Sequence, residues 1–401
     1  MQSLILIRGL LLLHALTFGL FSTATGQEQK MGQSQNHEEL ARRVVLTSAG
    51  VKPGDVVVVS GGKHTIPLME AIAIEERKAG GLVTMFLNSD RVIHSRNVDV
   101  PEQYLEQEPH YLVEWFKHVD VYIGLPSAED PQTAIAGVPQ ARIAKISKAE
   151  RVVTNMLNEA KLRYLSIGYP TRQFAELNQL DFATYEKIFR EALNADYRMI
   201  SEKGKTLKQI LQGAKVVRVV SPDGTDFTFS IGDRPVIVDD GIVTAEDAQS
   251  KVLYVRSAFL PGGRAFVAPI ETSANGKVMA PKARCRNEPL TGVSFEFKNG
   301  KLQNFKADRN AECFNATMAA YSGSKDMFGA FSIGLNHNWK VMEAPGDYRP
   351  APAAGMVQIG IGNNQLTGGN NADPGSFSFP ITRATVTVDG KVVVKDGRLA
   401  F

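Results

Sequence analysis

Few residues in this chain have both the types and the spacing that chemistry uses. Ser60-Gly61-Gly62-Lys63-His64-Thr65 follows an apolar strand pattern and opens a helical one, the setting in which free backbone N–H groups cradle an anion. It lacks the first glycine of a Walker loop and the third glycine of a dinucleotide loop, so a plain strand-to-helix turn is the expectation. Gly360-Ile361-Gly362-Asn363-Asn364-Gln365 also begins like a dinucleotide loop, but no helical pattern follows it. His110, Glu114 and His118 are spaced four and four and project from one helix face. First to last they span ~12 Å, too far for all three to reach one zinc at about 2 Å, so an exposed polar face is expected there. His-Glu-x-x-His, Gly-x-Ser-x-Gly and Cys-x-x-Cys do not occur.

Composition narrows the classes further. The chain has 401 residues, 45 basic against 42 acidic side chains, seven histidines and two cysteines. That length allows two or three domains with ample core. A net charge of +3, without any long run of like charges, provides no basic stripe for nucleic acid.

The start of the chain has an export pattern. Gly9 to Phe21 is almost wholly apolar, follows Arg8, and leads through Ser22 and Thr23 into Ala24-Thr25-Gly26. A short apolar core followed by small residues predicts a signal peptide over 1–26, cleaved before Gln27, then a polar linker over 27–38. The other reading is a retained anchor, because the apolar stretch counted from Leu4 approaches spanning length. On the first reading the mature protein is exported, periplasmic or extracellular, with no membrane attachment. Cys285 and Cys313 would then lie in an oxidising compartment, where a structural bridge is a plainer expectation than a reactive thiol.

The elements that must position any site follow from periodicity. Strand patterns at Asp55–Ser60, Leu82–Leu87, Val119–Leu125 and Leu162–Gly168 alternate with helical ones such as Leu68–Lys78. Strand, crossover helix and strand repeated this way predict a Rossmann-like parallel α/β domain over 39–212. A long helical region carries Phe182, Tyr185, Phe189 and Leu193 on one stripe and runs on towards Leu211. Beyond it, short alternating segments with Gly, Asp and Asn turns predict a mostly antiparallel, β-rich domain over 213–401, closed by a hairpin at Asp389-Gly390.

Several blocks in that second half occur in a characteristic order. They are Gly224-Thr225-Asp226-Phe227, Pro261-Gly262-Gly263-Arg264, Phe295-Glu296-Phe297-Lys298-Asn299-Gly300, Gly334-Leu335-Asn336, Gly368-Gly369-Asn370-Asn371 and Asp389-Gly390-Lys391. With Val51-Lys52-Pro53-Gly54-Asp55 in the first half, the chain resembles the thermophilic aminopeptidase family of metallopeptidases, the aminopeptidase T/S or leucyl aminopeptidase T type. The resemblance implies an α/β domain, a β-rich domain holding two divalent metal ions (zinc or cobalt), a homodimer, and release of N-terminal amino acids from peptides.

Residue by residue, the ligand positions depart from that pattern. Where the family has Pro-x-Gly-Glu, this chain has Arg264; where it has Gly-Glu, here stand Gly329-Ala330. A ligand histidine is replaced by Gln358, and a catalytic tyrosine aligns with Gln365. The closing His-x-Asp after Gly368-Gly369-Asn370-Asn371 reads Ser376-Phe377-Ser378. A fixed positive charge about 4 Å from a divalent cation costs roughly 8 kcal/mol at an effective dielectric of 20, set against about 10–16 kcal/mol for binding a structural zinc. The expectation is an inactive homologue without a metal cofactor. Its degenerate cleft, made of Arg264, Ala330, Gln358, Gln365, Asn371, Ser376 and Ser378, would bind a peptide or small molecule through hydrogen bonds.

Two alternatives stand beside this reading. One is an active metal-dependent leucyl-type aminopeptidase with a different ligand set, drawn from His337, Asn338, Glu343, Asp347, Asp239, Asp240, Glu271 and Asp373. The other is an exported structural or binding dimer without a small-molecule site.

Overall fold

The computed structural model describes residues 36–131, 136–285, 288–340, 352–372 and 375–401; the expected signal peptide lies outside them. Among the described residues no helix is long and apolar enough to cross a membrane.

The valine run of the first strand pattern becomes β1 (Val56–Gly62), which is buried almost throughout, as a strand covered on both faces must be. It pairs in parallel with β2 (Leu82–Asn88) on one side and β3 (Val121–Gly124) on the other. The alternation of β1 splits its side chains between two helical layers. Val57 and Val59 join the core beneath α1 (Ile66–Lys78), whose Leu68, Met69 and Ile72 are buried. Val58 faces a smaller cluster with Phe116 of α3 (His110–Phe116) and Met156 of α4 (Gln140–Glu159), on the side of the sheet that α2 (Asp90–Val98) shares through its contacts with α4.

β4 (Arg163–Ile167) extends the parallel sheet, and two capped helices follow the short α5 (Arg172–Leu177). The single helical region expected up to Leu211 is in fact α6 (Phe182–Leu193) and α7 (Tyr197–Leu211). Asp196 stops the run because its carboxylate accepts from the Met199 N–H at 3.0 Å, an N-cap that favours a fresh start over continuation.

Beyond residue 212 the chain forms β5 (Val217–Val220), β6 (Asp226–Phe229) and β7 (Ile237–Asp239), then β8 (Ser257–Leu260), which returns to pair in parallel with β4. The first sheet, ordered β2-β1-β3-β4-β8, is therefore completed by a strand from beyond residue 212, and the boundary drawn there does not separate the sheets.

The remaining strands are antiparallel: β9 (Arg264–Val267), β10 (Asn275–Cys285), β11 (Glu288–Lys298), β12 (Lys301–Lys306), β13 (Phe328–Gly334), β14 (Val357–Gly362), β15 (Ser376–Ile381), β16 (Thr385–Val388), β17 (Lys391–Lys395) and β18 (Arg398–Leu399). They make an eight-stranded sheet, β12-β11-β10-β6-β5-β16-β17-β18, and a five-stranded sheet, β15-β14-β13-β9-β7. The closing hairpin turns through Asp389 and Gly390, both left-handed at φ 45° and 89°, the backbone that a tight two-residue hairpin requires. Phenylalanines bind the two antiparallel sheets together, Phe229 meeting Phe331 and Phe295 meeting Phe379 at ring separations of 4.8 Å. Helix α8 (Ala311–Ala320) is tied to the end of β10 by the Cys285–Cys313 disulfide, with Cα atoms 6.0 Å apart.

Candidate functional site

The five-stranded antiparallel sheet carries most of the candidate residues, and its register decides which of them meet. One face packs into the core through Ala265, Val267, Phe331, Ile333, Val357, Ile359, Phe377 and Phe379, all buried. Alternation puts Arg264, Phe266, Ala330, Ser332, Gln358, Ser376 and Ser378 on the opposite face.

Cross-strand pairing arranges that face in rows. Ala330, Gly360 and Ser378 lie side by side, with Ala330 and Ser378 exposed. The neighbouring row runs Phe266, Ser332, Gln358, Pro380, and the next joins Gly334, Arg264 and Asp239. Arg264 is therefore one row, ~7 Å along the strands, from Gln358 and two rows from Ser378. Ser376 continues the exposed end, opposite Gly362.

Arg264 does not point into open space. Its Nε lies 3.6 Å from Asp239 Oδ2, and its guanidinium sits over the rings of Phe266 and Phe259 at 4.7 and 5.4 Å. Tyr254 packs against both phenylalanines, so the cation is held in an aromatic enclosure by charge and quadrupole together. Asp239 is fully buried, and its Oδ1 accepts from the Phe259 N–H at 3.0 Å. Burial pushes its carboxyl up to about 6, against the pull of the Arg264 charge. The turn that delivers Arg264 is pinned by Asn336, whose amide donates to the Gly262 and Ala192 carbonyls. At Gly263, φ 116°, a Cβ would lie 2.8 Å from the Asn336 backbone nitrogen, so only glycine fits.

Asn371 and Gln365 belong to the loop beside this face, and their roles differ. The Asn371 amide is buried and donates to the Phe328 and Gly362 carbonyls, while Gln365 is exposed on the surface. The loop's organiser is Glu271. It accepts from Asn364 Nδ2 at 3.1 Å, the Asn370 N–H at 2.7 Å and Arg234 at 2.7 Å, and Arg234 also donates to the Gly368 carbonyl. Burial alone would push the Glu271 carboxyl up; these donors and the Arg234 charge outweigh it and hold the group low. The Gly368-Gly369-Asn370-Asn371 block thus shapes the loop, and a Cβ at Gly369 would strike the Asn364 amide.

The donor set does not fit a pair of divalent cations. The exposed face has hydroxyl and amide groups, and the carboxylate at its edge already faces a guanidinium. Of the alternative ligands, Glu271 is committed to Arg234 and the loop, Asn338 donates to the Glu191 carbonyl, His337 is exposed, and Glu343, Asp347 and Asp373 lie outside the described residues. Asp240 is set apart by its neighbours, accepting from the Ile242 N–H. No group of three or more His, Cys, Asp or Glu side chains able to hold a metal occurs among the described residues.

A model of the thermophilic metalloprotease family, M29, matches residues 33–340. This chain belongs to that family. The match spans the Arg264 and Ala330 blocks and ends before β14 and β15. Among solved structures, this M29 protein is similar to wild-type AmpT from Thermus thermophilus, with a TM-score of 0.69, 15% identity, and coverage of 92% of this chain and 99% of AmpT. It is also similar to 2,5-dihydroxypyridine dioxygenase from Pseudomonas putida KT2440, with a TM-score of 0.61, 15% identity, and coverage of 92% and 96%. At such identities the likeness is one of fold, and the aminopeptidase T type of α/β plus β-rich architecture is the fold this M29 chain adopts. No curated protein matches its sequence.

The other motifs resolve simply. Lys63–Thr65 forms a single turn between β1 and α1, with Thr65 Oγ1 donating to the Gly62 carbonyl. Burial lowers the His64 pKa, which takes positive charge away from that turn. His110 pairs with Glu108 and Glu114 with Lys117, and His118 falls beyond the end of α3, so the three are not brought to one point. Surface clefts of about 400 and 600 Å³ are lined by residues of the α6 and α5 regions, and none of the seven candidate residues lines either.

Sequence reasoning named Asp239 only as a spare ligand and missed Tyr254, Phe259 and Phe266. The alternation Arg264-Ala265-Phe266 was a usable signal, since it puts the guanidinium and the ring on one face.

Proposed function

We propose that this protein is an exported, non-hydrolytic member of the M29 family, whose outer sheet face binds a peptide or small ligand by hydrogen bonding. The observation that carries the reading is the Arg264–Asp239 contact. At the block where the family supplies a metal-binding carboxylate, this chain has a cation, and the nearest carboxylate is engaged with it. Hydrolysis through a metal-activated water requires the opposite arrangement, carboxylate or neutral imidazole ligands around an open coordination position. Further along the same face from Arg264, Gln358, Ser376 and Ser378 offer neutral donors and acceptors, a chemistry suited to an uncharged or anionic ligand. The same fold in AmpT and in a dioxygenase argues that fold alone leaves the reaction open.

Export is supported by the bridged Cys285–Cys313 pair, since disulfides persist chiefly in oxidising compartments. N-terminal sequencing of protein recovered outside the cytoplasm should begin at Gln27; an intact Met1 end would contradict cleavage.

The activity test pairs two measurements on protein purified without chelator: bound metal, and hydrolysis of leucyl-para-nitroanilide with added zinc or cobalt. Metal well below one ion per chain and no chelator-sensitive turnover are expected. Stoichiometric metal together with chelator-sensitive turnover overturns the proposal.

A further inference from the structure

We propose that Glu76 is a proton-operated latch: with its carboxyl neutral, residues 49–55 lie closed over the amino end of the parallel sheet, and loss of the proton opens that segment. Glu76, near the end of α1, is wholly buried, and neither of its side-chain oxygens has a hydrogen-bond partner. Two turns cover it. A Cβ at Gly81 would lie 3.3 Å from Glu76 Oε2 and 3.4 Å from Val51 Cγ1. The Gly54 N–H donates to the Gly80 carbonyl at 2.9 Å, closing one turn on the other.

Charge around this carboxyl is sparse. β1, β2 and the helical turn Val44–Ser48, all packed against α1, carry no ionisable side chain. Lys63 and His64 stand at the other end of α1, ~15 Å away. On α1 itself Glu75 pairs with Lys78, and Glu70 and Arg77 are exposed. That leaves Asp55 and Arg163 as the charges Glu76 feels. They are already joined to each other at 2.6 Å, and Arg163 also donates to the Ala49 and Gly50 carbonyls at 2.8 and 2.7 Å. Burial, joined by the Asp55 charge, favours the neutral acid and pushes it up to about 8.

An ionised Glu76 has two ways to be satisfied, and both open the same place. If Arg163 turns to it, Ala49 and Gly50 lose their donor, because a carboxylate binds a guanidinium more strongly than neutral carbonyls do. If Arg163 stays, the carboxylate must reach water, and Val51 with the Gly80-Gly81 turn stands in the way. The latch is independent of the reading of the outer sheet face.

Amide hydrogen exchange on the full chain, corrected for its intrinsic pH dependence, tests this at Val51 and Gly54, whose N–H groups are bonded to the Val45 and Gly80 carbonyls. With the carboxyl at about 8 when closed and at its ordinary 4.5 when open, linkage raises the opening constant about thirtyfold from pH 6.5 to 9. The native chain should lose that much protection at both amides, while β3 and β13 keep theirs. Glu76→Gln, neutral at both pH values, should show no such loss; if it does not fold, Glu76→Met makes the same comparison. Equal protection of the native chain at the two pH values, the same loss in the neutral variant, or a loss shared by β3 and β13 overturns the proposal.

Discussion

Arg264 and Asp239 face each other across the β7–β9 pair, with Nε and Oδ2 3.6 Å apart, the carboxylate fully buried. Breaking such a pair from one side leaves an uncompensated charge in the interior. Arg264→Met should therefore cost about 3–5 kcal/mol of folding stability. Asp239→Asn keeps an acceptor for the Phe259 N–H, and adding it to Arg264→Met should recover much of that loss. Urea titrations of the two single variants and the double variant measure the coupling; strictly additive losses would contradict the pairing.

Glu76 of α1 is wholly buried with neither carboxylate oxygen hydrogen-bonded. Burial, reinforced by the Asp55 charge, pushes its pKa up from 4.5 to about 8, and Arg163 only partly opposes the shift. A carboxyl whose folded pKa is raised binds its proton more tightly when folded, so its ionisation destabilises the fold progressively from about pH 4.5 to 8. Glu76→Met should raise stability at pH 7 by on the order of 3 kcal/mol and flatten the pH dependence in that window. Thermal melts of both proteins across pH 5 to 8 check the sign.

Glu271 titrates in the opposite sense, because its donors hold the folded pKa below 4.5. Its contribution is complete above that value and is lost as the pH falls through the lowered pKa. Glu271→Ala should strip partners from Arg234, Asn364 and Asn370 together and cost about 3–5 kcal/mol. Amide hydrogen exchange should show lost protection at Asn370 and Asn371, while β1 and β3 remain protected.

The Cys285–Cys313 bridge joins positions 28 residues apart. Loop-closure entropy for that separation corresponds to about 3–4 kcal/mol. A Cys285→Ser, Cys313→Ser double variant should lose that much unfolding free energy in a urea titration, its midpoint falling by the loss divided by the m-value, and added reductant should then have no further effect on it.

Local periodicity was enough to recover several individual elements of this chain. The Val56–Val59 run reads as a doubly covered strand, the Tyr185 and Phe189 stripe as a helix face, and Asp389-Gly390 as a hairpin turn, because each signal depends on neighbours a few residues away. The residue types at Arg264, Ala330 and Gln358, a cation, a methyl and an amide, were equally legible, since they are a matter of residue identity. The placement of these residues was not. Glu271 reaches Asn364 across 93 positions, Asp239 meets Arg264 through strand register, and Ser257–Leu260 returns to the parallel sheet. Such pairings are chosen by long-range packing of whole sheets, to which side-chain periodicity is blind. The sequence by itself thus determined the kinds of many elements and which side-chain types stand at the candidate positions; the tertiary structure decided that Arg264 is enclosed by Asp239 and aromatic rings, and that an apolar β2 is left at an open edge.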